Sequence, residues 1–328
     1  MSLIRGKSDF EKVKNYLQTA SRLFDFTEVS KDSFRPSSLI NGRNSQSVAV
    51  FGGVICAQAL AAAEKTVEKR LRSHSMHSHF VWGVDPKEPI LYNVRRVRDG
   101  KAFATRTVDA IQKGSVCFVL QCSFHVGEHD SIVHQADMPK VPAPESLPSM
   151  RKVVPYLKDL VEAGELTVTP AMMWRLATYD SKIYSDENDL FEMRCTNLGN
   201  YYGFASDRKP ELYFWMRARG DLSGEDRLHR WLLTYISDAI PTAATFSPHY
   251  SQGFHPKLAL SLDHSVWFHR PEDVRADEWL LFECKSRVAS GSRTLIEGRI
   301  WRRDGVLMAS CQQEALLRRS ANDAVSKI

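Results

Sequence analysis

The sequence predicts an α+β chain made of two tandem copies of one unit, each a long central helix wrapped by an antiparallel sheet. Three observations carry this expectation. Two helix-like runs, VFGGVICAQALAAAEKTVEKRL and DRLHRWLLTYISDAI, are each followed by four strand-like runs with short turns between them. A slide of 191 residues lays Gly100 on Gly291, Gly114 on Gly305 and the Val116–Val119 run on 307–310. One apolar helix per meander of long strands buries itself best inside the curl of its own sheet.

The elements follow in order. The first copy opens near Leu23 with LFDFTEV, a strand pattern. Its helix is entered through Gly52-Gly53 and carries Ala-rich apolar spacing. The strands SHSMHSHFVW, PILYNVRRV, AFATRTVDAIQ and SVCFVLQCSFHV come next, punctuated by VDPKEP, RDGK and QKGS. The second copy opens with ELYFWMRARG. Its helix ends at Pro241, because proline lacks the amide proton and crowds the preceding turn. The strands LALSLDHSVWFHR, WLLFECKSRVA, RTLIEGRIWRR and VLMASCQQEALLR follow, with SGS and RDGV as tight turns. Residues 1–126 are thus read as the first unit, 210–320 as the second and 321–328 as a tail. The stretch 127–209 is read as an ordered connector over the surface. Its PKVPAPESLP segment has four prolines that forbid regular structure, and MRKVVPYLKDLVEAG predicts one short helix.

Composition narrows the function classes. The 328 residues suffice for two average domains, and 43% hydrophobic with 25% charged residues excludes a wholly disordered chain. No apolar run approaches the roughly 18 residues of a membrane span, and the charged N-terminus MSLIRGKSDFEKVKNYL does not read as a secretory leader. A net charge of +5 would help attract a polyanionic small molecule but does not call for nucleic acid. The six cysteines form no C-x-x-C pair and mostly sit in apolar runs, so free buried thiols are expected rather than a disulfide framework. There is no phosphate-cradling loop, no dinucleotide fingerprint and no G-x-S-x-G elbow. No cofactor is expected.

Strand and helix periodicity single out three polar residues. In the last strand Leu307, Ala309, Cys311, Gln313, Ala315 and Leu317 share one face, apolar except for Gln313. A glutamine there needs partners for two donors and an acceptor. The corresponding first-copy residue, Cys122, needs none. In the second helix the inward stripe runs Leu228, Trp231, Leu232, Tyr235, Asp238 and Ala239, so a carboxylate closes an apolar stripe. In LALSLDHSVWFHR the residues Ala259, Ser261, Asp263 and Ser265 alternate onto one face, with Ser261 a small polar group suited to a site. Each has a plain structural explanation: an aspartate bonding a neighbouring strand, or a glutamine satisfying a stray backbone group. That all three fall in one copy favours a site.

The histidines His74, His77 and His79 invite a metal reading. On a regular strand His74 points away from the other two, and no carboxylate or cysteine completes a ligand set, so no metal is expected. His264 and His269 read as hydrogen-bonded core or rim residues.

The motifs FGGVICAQAL and SHSMHSHFVWGVDPKEPILYNVRRVRDGKAF resemble the first half of the type II acyl-CoA thioesterases. ISDAIP, LDHSVWFHRP and WRRDGVLMASCQQEALLR resemble their second half, which looks most like the animal peroxisomal members. The resemblance covers about 23–126 and 211–318. It implies a double hotdog fold and hydrolysis of fatty acyl-CoA to free fatty acid and CoA. It implies a catalytic trio of Asp238 in ISDAIP, Ser261 in SLDHS and Gln313 in CQQEA, the same three residues that periodicity isolates. A thioester is reactive enough for a positioned water to attack directly. Asp238 would be the base, and Ser261 and Gln313 would hold the water. Gly52-Gly53 would bring helix amides to the oxyanion. A covalent Ser261 nucleophile is disfavoured, because no histidine is placed by motif to activate it.

Two other functions fit parts of the sequence. A hotdog enoyl-CoA hydratase would use an Asp and a His, for which Asp263-His264 is the available pair. A silent acyl-CoA binding protein would be free to lose the trio. The expected partners are the acyl-CoA substrate and, from strand edges and family habit, further copies of the chain. The final Ser326-Lys327-Ile328 differs by one conservative step from the S-K-L peroxisomal address, so peroxisome is the expected location, with cytoplasm as the alternative.

Overall fold

The computed structural model describes residues 16–39, 49–168, 190–205, 207–222, 224–254 and 256–319. The tail with Ser326-Lys327-Ile328 and most of the charged YDSKIYSDENDLFEM segment lie outside them.

After a helical stretch at 16–23, the first half contains β1 (Phe26–Ser30), β2 (Ser33–Pro36), α1 (Gly52–Glu64), β3 (Arg72–Phe80), β4 (Leu91–Asp99), β5 (Phe103–Gln112) and β6 (Ser115–His125). Helix α2 (Met150–Glu162) follows at the predicted place. Then come β7 (Phe191–Cys195), α3 (Leu198–Tyr202), β8 (Glu211–Ala218), α4 (Asp226–Ser237), α5 (Pro241–Phe246), β9 (Leu258–Ser261), β10 (Asp263–Phe268), β11 (Leu280–Ser290), β12 (Arg293–Arg302) and β13 (Leu307–Arg318).

The strands form one sheet in the order β1-β2-β4-β5-β6-β3-β10-β13-β12-β11-β8-β7, with β9 beside β13. The order reads alike from both ends, β2-β4-β5-β6-β3 answering β8-β11-β12-β13-β10. The halves meet where β3 pairs antiparallel with β10, Asp263 opposite His79 through Trp267 opposite Ser75. Each half curls around its own helix. This is the double hotdog α+β architecture.

Helix α1 is buried from Gly53 to Glu64, as expected of a helix apolar on every side. Its run of alanines lets it lie close to its surroundings. Helices α1 and α4 pack antiparallel across the seam: Gly53 meets the Tyr235 carbonyl, and Glu64 meets Arg230 and Trp231. Gly53 is needed there, because a Cβ would lie well inside 3.0 Å of that backbone oxygen.

Several elements differ from the sequence reading. β7 falls within the stretch read as connector, yet it pairs with β8 from Phe191–Ala218 to Cys195–Phe214, so the second half of the sheet begins before residue 210. Pro241 does end the helix before it, but also starts α5 at the first helical position, where a missing amide proton costs nothing. The run LALSLDHSVWFHR is two strands, β9 and β10, broken at Leu262. The proline-rich segment carries no regular strand, and its carbonyls are used. Pro142 O accepts from Trp215 Nε1 at 2.8 Å and Pro144 O from Arg194 at 2.6 Å. Met138, Val141 and Leu147 cover Trp215, Leu281 and Trp301.

Candidate active site

The site forms where α4 runs out. Asp238 caps its C-terminus (φ −88°, ψ −3°), 8% exposed and followed by the short turn into α5. Gln313 comes from β13 and is fully buried. Ser261 is the last residue of β9, opposite Ala315 on β13. Gln313 Nε2 donates to Asp238 Oδ1 at 2.8 Å and also to Ser261 Oγ, while Ser261 Oγ donates to Asp238 Oδ1 at 3.2 Å. The three residues isolated by periodicity therefore meet at one carboxylate oxygen. Gln313 Oε1 is a buried acceptor without a protein partner among the described residues.

Gly52, at the start of α1, faces the other carboxylate oxygen. A Cβ on it would lie 2.7 Å from Asp238 Oδ2 and 2.8 Å from the Phe80 ring. The first amides of a helix have no intrahelical partners and carry the positive end of the dipole. α1 has no side-chain cap over them. Phe51 and Phe191 bracket Tyr235, with ring centroids at 5.2 and 5.5 Å, and Phe80 lies against Phe118. The Phe80 ring and the Asp238 carboxylate thus lie together against the start of α1. Burial first, and then the Asp238 charge, pushes the Cys56 thiol far up and Cys311 up to about 12. Both stay protonated and unreactive beside it.

The break at Leu262 corrects the expected strand face. Ser261 turns inward to the trio, but Ser265 bonds His77 on the outer face and Asp263 Oδ1 accepts from the Glu314 amide at 2.7 Å. His264 is fully buried, its Nε2 2.8 Å from Ser237 Oγ. Asp263 and His264 thus point to opposite sides and do not form the pair a hydratase would use.

The histidine reading also changes. A bulge between Ser73 and Ser75 turns His74 outward, where its Nε2 meets Ser123 Oγ at 2.9 Å and its ring lies against Phe103 and His125. Among the described residues no group of three His, Cys, Asp or Glu converges as a metal site.

One feature escaped the sequence reading. The first half has a counterpart of the trio. Glu64, fully buried at the end of α1, accepts from Ser73 Oγ at 2.9 Å, and its charge helps raise the buried Cys122 thiol. Here the carboxylate is paired across the seam with Arg230 at 3.3 Å and Arg227 at 3.9 Å and accepts from Trp231 Nε1 at 2.9 Å. Running the predicted helix on past Glu64 hid that this residue is terminal, as Asp238 is.

The described residues thus form a double hotdog in which a carboxylate, a hydroxyl and an amide meet where α4 ends. The acyl-CoA thioesterase N-terminal domain model matches residues 40–125, and the C-terminal domain model matches 171–317. The chain is 38% identical to acyl-coenzyme A thioesterase 8 of Homo sapiens over 281 residues, covering 85% of this chain and 83% of that one. It is 33% identical over 276 residues to acyl-CoA thioesterase 2 of Haemophilus influenzae, covering 82% and 87%. An acyl-CoA thioesterase II structure from Mycobacterium marinum superposes with a TM-score of 0.71 at 28% identity, covering 93% of this chain and all of that one. The chain belongs to the type II acyl-CoA thioesterase family and is a thioester hydrolase.

Proposed function

We propose that the protein hydrolyses fatty acyl-CoA to free fatty acid and CoA by direct attack of a water that Asp238 deprotonates. The observation that carries this is the meeting of Ser261 and Gln313 on Asp238 Oδ1, beside the N-terminus of α1. Asp238 accepts the proton of the attacking water. Ser261 and Gln313 hold the carboxylate and the water in line with the carbonyl, and the unpartnered Gln313 Oε1 suits a water proton. The amides of Gly52 and Gly53 stabilise the tetrahedral oxyanion. Proton return to the departing thiolate completes the cycle. The aromatic surroundings at Phe51, Phe80 and Tyr235 suit an apolar acyl chain.

The test is thiol release from a panel of saturated and enoyl-CoAs, followed with a disulfide dye. Release from saturated substrates, lost in Asp238→Asn, is expected. Tight acyl-CoA binding without release would leave a silent binding protein, and loss of enoyl absorbance without release would leave a hydratase.

Two coarser expectations join this reading. The Ser326-Lys327-Ile328 tail supports peroxisomal import, and a relative 25% identical over 308 residues is the peroxisomal acyl-coenzyme A thioester hydrolase 1 of Saccharomyces cerevisiae. A fusion lacking the last three residues should leave the peroxisome, and an unchanged distribution refutes the address. The sheet ends at β1 and β7, whose outer edges support pairing with a second copy; light scattering reads the mass directly. Among the described residues no helix is long and apolar enough to cross a membrane.

A further inference from the structure

We infer that His264 is a positioning residue for the hydrolysis, acting through Ser237 to hold the turn that presents Asp238. The inference rests on the reading of Asp238 as the base.

One proton order satisfies both contacts of Ser237. In it Ser237 Oγ donates its single proton to Thr234 O at 2.9 Å and accepts from His264. His264 therefore carries its hydrogen on Nε2 and donates it at 2.8 Å. The backbone of His264 is held as well. Ser78 Oγ donates to the His264 carbonyl at 2.7 Å, so it accepts from the Cys56 thiol, 3.9 Å away. Contacts thus link α1 (Cys56) through β3 (Ser78) to the backbone of His264 on β10, and the His264 side chain to the last residue of α4. They cross the seam between the halves and end one residue short of Asp238.

That turn needs holding. α4 stops at Ser237, and Pro241 cannot donate a backbone hydrogen bond. Between them, the Ala239 amide reaches back to Ile236 O at 3.0 Å. The serine hydroxyl is a side-chain anchor at the point where helical hydrogen bonding ends. Packing alone does not explain the imidazole: among the described residues its Nδ1 is buried without a partner, and a leucine would fill the space without burying a polar nitrogen. Burial holds the ring neutral, pushing its pKa down to about 4. A charged imidazole would put a second ion beside the trio.

The test uses the full-length chain with His264→Met, His264→Gln, Ser237→Ala and the double variant Ser237→Ala/His264→Met, measuring kcat and KM separately by thiol release. Asp238→Asn runs alongside. Loss of one positioning hydrogen bond should lower kcat about tenfold in His264→Met and Ser237→Ala, with KM changed less than about twofold. The double variant should be no worse than either single one. His264→Gln, whose Nε2 reaches the same point, should recover most of the rate. Wild-type kcat in Ser237→Ala overturns the inference even if His264→Met does not fold, and so do additive losses or an effect confined to KM. If Asp238→Asn stays active, the assignment of the base fails, and this inference with it. If Asp238→Asn is dead while the His264 and Ser237 variants run at wild-type rate, only the positioning role fails.

Discussion

Two adjacent glycines at the start of α1 should fail in different ways when each is given one methyl group. At Gly52 the added Cβ meets only side-chain atoms, Asp238 Oδ2 at 2.7 Å and the Phe80 ring at 2.8 and 2.9 Å. Both can rotate. Restoring an ordinary contact of about 3.5 Å requires a shift of roughly 0.7 Å, divided between the ring and the carboxylate. Misplacing a reacting group by about 1 Å costs on the order of a hundredfold in rate, so Gly52→Ala should lose about tenfold in kcat and remain folded. At Gly53 the obstacle is the Tyr235 carbonyl, which belongs to the backbone of α4 and cannot rotate away. Relief requires the two central helices to separate, at the 1–3 kcal/mol, or about that, of an overpacked core. Urea unfolding and thiol release, applied to both variants, distinguish the outcomes. A Gly52→Ala protein with full kcat would refute the contact between α1 and the carboxylate. A Gly53→Ala protein of unchanged stability would refute the close helix crossing.

Three further outcomes are expected. Arg230→Met leaves Glu64 buried with Ser73, Trp231 and the more distant Arg227 at 3.9 Å, and should cost about 1–3 kcal/mol in urea unfolding. Stability should also fall in acid. His264 is held neutral near 4 against an ordinary 6.5, so unfolding is favoured as pH drops from 6.5 to about 4, by about 3 kcal/mol in total. Glu192 adds to this at lower pH. Burial raises its pKa, but bonds from Arg194 and Arg217 outweigh burial and hold it below its ordinary 4.5, so its contribution is lost as pH falls through the lowered value. A urea midpoint flat between pH 7 and 4 would contradict the His264 contribution, and one flat below pH 4 that of Glu192. Finally, all six cysteines are buried, so the native protein should react slowly with the dye that reads the assay, and the denatured chain should release six equivalents.

The outline of the fold was legible because hotdog strands alternate and the duplicated turns keep their glycines: Gly114, Gly291 and Gly305 all have positive φ. β7 was not legible. Its short FEMRC segment, lying beside a charged stretch, becomes a strand only because β8 offers it an edge. The trio could be read in outline, since Gln313 and Asp238 break apolar stripes. Ser261 was reached by a parity count that happened to agree up to Leu262 and fails beyond it, since a break reverses every later side chain. His264 was read as a hydrogen-bonded residue, but its partner lies on another element, and no periodicity encodes contacts between elements. Glu64 and Arg230 are 166 residues apart, and only the crossing of the two helices brings them together.

That ion pair has an evolutionary consequence. In a symmetric pair of separate hotdog chains, any change at one site must appear at both. Joining the copies into one chain removes that obligation. Here the carboxylate closing α1 has become an anchor, held by an arginine from the other copy, while the one closing α4 keeps company with a hydroxyl and an amide. The duplication thus allowed a division of labour: one end of the helix pair bears the load, and the other is left available for chemistry.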